Sequence, residues 1–235
     1  METPFRRGAK DRLTRHDRGR FPGDGLFDRV ARVVAEVGVL PRKELYEAWE
    51  VARRTRRRCR GGRVVDVAGG HGLLAHLMLL LDDTSPGAVV VDPVRPSSAE
   101  ALASALTSAW PRLAGRVGYE THLLADVDLN ADDVVVSSHA CGALTDQVLD
   151  AAARVGAGVA VLPCCHDAAT CDPGPLLGWM DLALAVDALR AVRLEGRGYR
   201  VWTQTIPAAV TPKNRLLLGV PAGRSADGAE QSGAE

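Results

Sequence analysis

The stretch Arg63-Val64-Val65-Asp66-Val67-Ala68-Gly69-Gly70-His71-Gly72-Leu73-Leu74 decides the fold. Its valines are β-branched and predict a strand over Arg63–Val67, the glycines allow a sharp turn, and the leucines that follow open a helix. A strand that enters a helix through a glycine turn is the first half of a βαβ unit. Downstream, short β-branched runs at Ala88–Val91, Val117–Glu120, Asp133–Ser137 and Gly158–Leu162 alternate with stretches that predict helices at 73–82, 97–109, 142–154 and 175–191. The last two runs, Tyr199–Ile206 and Arg215–Val220, are separated only by the loop Pro207–Asn214. Without a crossover helix they must pair antiparallel if they are neighbours, or straddle another strand. The class is α/β, with a mostly parallel sheet.

Upstream of Arg63 the pattern is helical. Phe27, Val30, Val33, Val34 and Val37 recur at helical spacing until Gly38, and Pro41 opens a second helix carrying Leu45, Ala48, Trp49 and Ala52. That helix runs into Arg53-Arg54-Thr55-Arg56-Arg57-Arg58-Cys59-Arg60, a girdle expected to be solvated or bound to phosphate. The expected organisation is a basic disordered arm over 1–25, a helical extension over 26–60, the α/β domain over 61–220 and a disordered tail over 221–235.

The 235 residues are 46% hydrophobic and 25% charged, enough for a folded core. No apolar run approaches the roughly 20 residues of a membrane span, and no apolar segment follows the N-terminal arginines to make a secretory signal. The five cysteines, odd in number and two of them adjacent, suit a reducing compartment, so a cytoplasmic location is expected. Residues 1–60 hold 17 Lys and Arg against 9 Asp and Glu, while 61–235 hold 12 against 20, so a segment of net +8 precedes one of −8. A basic front on an acidic body is expected where one face meets a polyanion such as RNA; the excess of 26 Arg over 3 Lys is equally what GC-rich coding produces.

The chemistry gathers at strand ends. Gly69, Gly70 and Gly72 do not fit the Gly-x-Gly-x-x-Gly dinucleotide spacing. Asp92 ends the second strand about 20 residues after the glycine turn, where a carboxylate can take both hydroxyls of a ribose. Asp66 before the turn and Asp126 after the third strand are further candidates to meet ligand amines. In an open parallel sheet the ligand lies outside the carboxyl ends of the strands, so His139, Cys141, Cys164, Cys165 and His166 are expected to lie close together. No metal is expected there, because adjacent Cys164 and Cys165 cannot easily face one ion and no Cys-x-x-Cys pair is present. The cysteines read as small buried hydrophobes, and each histidine as a general base, an orienting group or a turn cap.

The segment 64–72, Asp92 and the terminal strand pair resemble the class I S-adenosylmethionine-dependent methyltransferases. The resemblance covers roughly residues 60–220. It implies a Rossmann-like sheet of seven strands, six parallel and one antiparallel, with S-adenosylmethionine bound by Asp66, Ala68, Gly69, Gly70, His71, Gly72, Asp92, Asp126 and Ser138. Ala68 stands where that superfamily more often has glycine. Ser137-Ser138-His139-Ala140-Cys141-Gly142-Ala143-Leu144-Thr145-Asp146, Leu162-Pro163-Cys164-Cys165-His166 and Thr211-Pro212-Lys213-Asn214-Arg215 resemble paired segments of a subgroup that includes the tRNA acceptor-stem 2′-O-methyltransferases. Ser138 occupies the place where RNA-modifying relatives tend to carry lysine. The resemblance implies methylation of RNA, tRNA before others, with His139 and His166 as the catalytic candidates. The alternatives are a protein or small-molecule methyltransferase, or a non-catalytic donor-binding module.

Overall fold

The computed structural model of the chain describes residues 5–223. Seven strands form one sheet: β1 (Val64–Val67), β2 (Ala88–Val91), β3 (Val117–Glu120), β4 (Val134–Ser137), β5 (Gly158–Val161), β6 (Tyr199–Thr205) and β7 (Arg215–Pro221). Their order is β3-β2-β1-β4-β5-β7-β6, and β7 pairs antiparallel with both β5 and β6. Of the two arrangements left open by the sequence, the terminal strands adopt the first: they are antiparallel neighbours, with β7 between β5 and β6. The strand order runs outward from β1 both ways, through β2 and β3 on one side and β4 and β5 on the other, which makes the carboxyl end of β1 the switch point where ligands bind in open α/β sheets.

Alternation along the strands explains how both faces are covered. Val64, Val90, Val134, Val136 and Ala160 pack into one cluster, and Val65, Val67, Val89, Val91, Val135, Val159 and Val161 into another. The first cluster takes in helices α1 (Leu26–Val37), α2 (Arg42–Thr55), α3 (Leu73–Leu81) and α4 (Ala99–Ala109). The second is covered by α5 (Ala143–Val155) and α6 (Leu182–Gly196). α3 is buried almost all round, Leu73 to Leu80, because it lies between the sheet and α2.

Two expectations change. The helix expected over 175–191 is a one-turn 3-10 segment, Gly174–Gly178, followed by α6, which restarts at Leu182 because the Asp181 carboxylate accepts the Leu184 N–H and caps it. The expected disordered arm is folded over residues 5–25: Leu13 and Phe21 are buried in the same cluster as α1 and α2, and Phe5 and Phe27 meet Phe21 edge-on. Charged residues alone suggested a mobile segment, but two apolar residues anchor it. The tail is outside the described residues from 224 onward, and Pro221 ends β7.

The arginine girdle also proves to be different. Arg56 is 4% exposed, pairs with buried Asp82 at 3.1 Å, and donates to the carbonyls of Met78 and Cys59 and to the Ser85 hydroxyl. Burial, opposed by the Asp82 carboxylate, brings its pKa down to about 10, so it stays charged at neutral pH. Arg53 and Arg54 are held by Glu50, while Arg57, Arg58 and Arg60 face outward. Replacing Arg56 by Ala removes the buried cation paired with Asp82 and leaves several carbonyls without that donor, and should cost about 3 to 5 kcal/mol in denaturant unfolding. Arg57→Ala should stay within about 0.5 kcal/mol. Equal effects for the two would remove the structural role of Arg56.

Candidate functional site: the carboxyl ends of the strands

The turn after β1 is built to bring backbone close to whatever lies above it. Ala68 has φ 53°, the one non-glycine in the left-handed region among the described residues, and Gly70 and Gly72 follow at 53° and 75°. An added Cβ at Gly69 would sit 2.8 Å from the Asp66 carboxyl carbon, and one at Gly72 would sit 2.6 Å from the Tyr119 hydroxyl. Both positions need glycine for space. At Gly70 a Cβ would meet nothing, so there glycine serves conformation alone.

Two carboxylates hold this turn. Asp92 accepts the Gly70 N–H with one oxygen and the Val94 N–H with the other, each at 3.1 Å. Asp66 is 1% exposed; one oxygen accepts the Ala75 N–H at 3.1 Å, and its other oxygen, Oδ1, is buried with no hydrogen-bond partner. Burial, opposed by the Ala75 N–H, pushes the Asp66 pKa up to about 7. A buried acceptor without a partner is costly, and it is a place for a donor group from a ligand.

Above the turn lies a crevice of about 190 Å³ lined by Ala68, Gly69, Gly70, His71, Ser138 and His139 on the sheet side. Leu40, Glu44 and Ala48 line it from the N-terminal segment. The structure thus brings together six of the expected residues from the loops after β1 and β4. Asp92 braces the turn from below. Asp126 is exposed on a one-turn 3-10 segment, Leu124–Asp126, outside this crevice. Sequence reading missed Glu44 and Tyr119. Glu44 was hidden because its helix looked like a separate extension; burial and then Glu47 raise its pKa. Tyr119 donates to the Gly70 carbonyl at 3.1 Å, a contact that the β-branched pattern of β3 could not announce.

The segment after β4 is explained residue by residue. The Ser137 hydroxyl accepts the Ala140 N–H at 3.0 Å, and the Thr145 hydroxyl donates to the Ala140 carbonyl. Gly142 has φ 59° and opens α5. Asp146 takes two hydrogen bonds from Arg190, which is 2% exposed and also donates to the Gly142 carbonyl at 2.9 Å. These contacts fix the loop that presents His139. Burial, reinforced by Lys43, lowers the His139 pKa, so the imidazole is neutral at pH 7 and able to accept a proton.

His166 does not join it. Its side chain is 4% exposed and turns toward α6, where Nε2 meets Asp187 at 2.7 Å; Asp187 also holds Arg190 and Arg215. The expected cluster therefore divides, because Asp187 draws His166 away from the crevice while the cysteines stay together. Cys141, Cys164 and Cys165 have all their sulfurs within 4.8 Å of one another. The argument that adjacent cysteines cannot face one point fails here, since residues 162–167 are irregular rather than extended in a strand.

A family described as a methyltransferase domain matches residues 43–171, more than half of the chain. The chain belongs to that methyltransferase family. The match begins inside α2, so it includes part of the segment that supplies Glu44 and Ala48 to the crevice. The chain is 28% identical over 200 residues to a glutathione S-transferase C-terminal domain-containing protein homolog of Drosophila pseudoobscura pseudoobscura, covering 68% of this chain and 33% of that one. It spans about a third of that relative's length. Among solved structures it is similar to an O-methyltransferase family protein from Burkholderia thailandensis, at 22% identity and a TM-score of 0.51, over 90% of this chain and 64% of that one. It is also similar to the S-adenosylmethionine-dependent methyltransferase SibL, at 19% identity and a TM-score of 0.49, over 89% of this chain and 66% of that one. The likeness to the Burkholderia protein is one of fold, a Rossmann-like methyltransferase sheet.

S-adenosylmethionine is the donor that the resemblance in the sequence implies. The residues fit such a group: the unpartnered Asp66 Oδ1, the glycine turn that admits no Cβ at two positions, and the crevice beside them. Asp66 yields a prediction. Its folded pKa lies above the unfolded carboxylate value of about 4, so the folded state holds the proton more tightly. The donor-free protein should therefore lose stability as pH rises from about 4 through about 7. Asp66→Asn should flatten that limb and weaken donor binding by about 1 to 3 kcal/mol. Unfolding at several pH values and calorimetric donor titration measure the two effects; an unchanged pH slope together with unchanged affinity would contradict the assignment.

Proposed function

We propose that this protein transfers a methyl group from S-adenosylmethionine to RNA, with tRNA the favoured acceptor, and that His139 is its general base. The observation that supports the reading is that cationic side chains from three parts of the chain lie near enough to the loops after β1, β4 and β5 to act on residues there. Residues 9–13 lie along 40–43, held by Lys43 N–H to the Ala9 carbonyl, Arg42 N–H to the Asp11 carbonyl and Leu13 N–H to the Leu40 carbonyl. Arg12, Lys43 and Lys213 act electrostatically on His71, His139 and Cys165 respectively. A polyanion lying across the strand ends would meet all three. Free exposed thiols at Cys141 and Cys165 support a reducing, cytoplasmic location.

When bound, the donor supplies a methyl on a positively charged sulfur, already a strong electrophile. The protein's part is to hold the acceptor in line and to remove its proton where the acceptor is a hydroxyl. His139, neutral and at the crevice wall, suits the second task. Asp66, Ala68, Gly69, Gly70, His71, Gly72, Asp92 and Ser138 are the proposed donor-binding residues, Asp92 also bracing the turn, with Asp126 as an outer contact. His166 is assigned to positioning the β5 loop through Asp187.

A protein or small-molecule acceptor is the second reading. It is favoured by the use of Arg53, Arg54 and Arg56 within the fold, which leaves fewer free cations than the charge count suggests.

His139→Asn should lower turnover by about 10²- to 10⁴-fold with donor affinity nearly unchanged. His166→Asn should act mainly on thermal stability. Full-rate turnover by the His139 variant would leave proximity alone as the mechanism. Labelled-methyl transfer to RNA, protein and metabolite fractions identifies the acceptor class. RNA affinity should fall steeply between about 50 and 200 mM salt, less so in a Lys43/Lys213 double-alanine variant; label found only in protein or metabolites would overturn the RNA reading.

A further inference from the structure

The loops after β4 and β5 are tied together beside the crevice by the Gly142 N–H to Cys165 carbonyl bond at 3.2 Å. Where they meet, Cys141 Sγ lies 2.7 Å from Cys164 Sγ, and Cys164 Sγ lies 3.8 Å from Cys165 Sγ. None of the three is disulfide-bonded, and Cys141 and Cys165 are exposed. Neither the methyl transfer nor the folding contacts described above use these thiols. Buried Cys59 and Cys171 show what a packing cysteine looks like in the same chain.

We propose that Cys141, Cys164 and Cys165 form a zinc site of three thiolates with the fourth position open to water, pinning the β4 and β5 loops to each other. Zinc–thiolate bonds are about 2.3 Å long, so two sulfurs of a tetrahedral set stand roughly 3.8 Å apart. The three sulfurs, within 4.8 Å of one another, span that spacing. The close Cys141–Cys164 pair opens to it by rotation of the exposed Cys141 side chain. The adjacency of Cys164 and Cys165 is no obstacle, because the irregular backbone of 162–167 does not force neighbours to opposite sides.

Preorganisation supports the site. Gly142, next to Cys141, is held by buried Arg190, and the β5 loop by His166 on Asp187. Three thiolates around a divalent ion leave one net negative charge, and Lys213 lies near enough to act on Cys165 and offset part of it. Binding displaces the thiol protons, so affinity rises with pH.

The full chain, purified metal-free under a non-thiol reductant, is titrated with Co²⁺ and Zn²⁺. The expected result is one ion per chain, sulfur-to-cobalt charge-transfer absorption in the near ultraviolet that zinc abolishes, and a higher melting temperature with zinc. Cys165→Ser should weaken binding at least 100-fold and remove the thermal shift, while Cys59→Ser and Cys171→Ser should still bind one ion. Cys165 is exposed, so its variant should keep the melting temperature of the metal-free parent; if it does not, Cys141→Ser serves in its place. Absence of stoichiometric binding by the parent, or binding by the Cys165 and Cys141 variants as tight as the parent's, overturns the proposal.

Discussion

Everything at the active end of this molecule depends on the Asp66 carboxylate being confined beneath a turn too tight to hydrate it. The strand that carries it is central and buried, its parallel neighbours β2 and β4 lie on opposite sides of it, and the chain must bend at once into α3. Gly69 leaves no room for a side chain beside the carboxyl group, Ala75 satisfies one oxygen, and the other is left without a partner. A fold of this size can bear a few kcal/mol of such local cost because the valines on both faces of the sheet are fully used. The unpartnered acceptor, the left-handed Ala68 and the Asp92 brace are parts of one strained turn, and strain of that kind persists where binding uses it.

The N-terminal segment closes the other side. Its positive charge suggested a free arm and a solvated girdle, yet much of that charge is structural. Arg56 stitches the end of α2 to α3 through Asp82 and backbone carbonyls, and Arg32 donates to the Gly23 carbonyl at 2.7 Å. Among the cations that remain, exposed Arg12 and Lys213 and half-buried Lys43 are near enough to the strand-end loops to act on His71, Cys165 and His139 respectively. Position, rather than net charge, is what a polyanionic acceptor would read. No helix among the described residues is long and apolar enough to cross a membrane.

Much of this was legible in the sequence because its signals are local. The β-branched runs put each strand within about two residues of its place, and the glycine turn with Asp66 announced the switch point of the sheet. Ser138 and His139 were legible through their position after β4. What was not legible depends on long-range contacts. Leu13 and Phe21 look like isolated apolar residues until α1 and α2 cover them. Glu44 enters the crevice only because α2 packs on α3, and His166 leaves it because Asp187, 21 residues later, offers a better partner. The girdle misled because periodicity places arginines around an axis without showing which of them meets a buried aspartate.

The central claim is that the turn after β1, with the buried carboxylate beneath it, holds the methyl donor. A crystal structure of the chain with S-adenosylhomocysteine tests it most directly. The account predicts the ligand against Gly69–Gly72, with a nitrogen, a hydroxyl or one bridging water within hydrogen-bond distance of Asp66 Oδ1 and His139 at the side the methyl would leave. A ligand bound elsewhere, or bound over the turn with Asp66 Oδ1 still unpartnered, would contradict it.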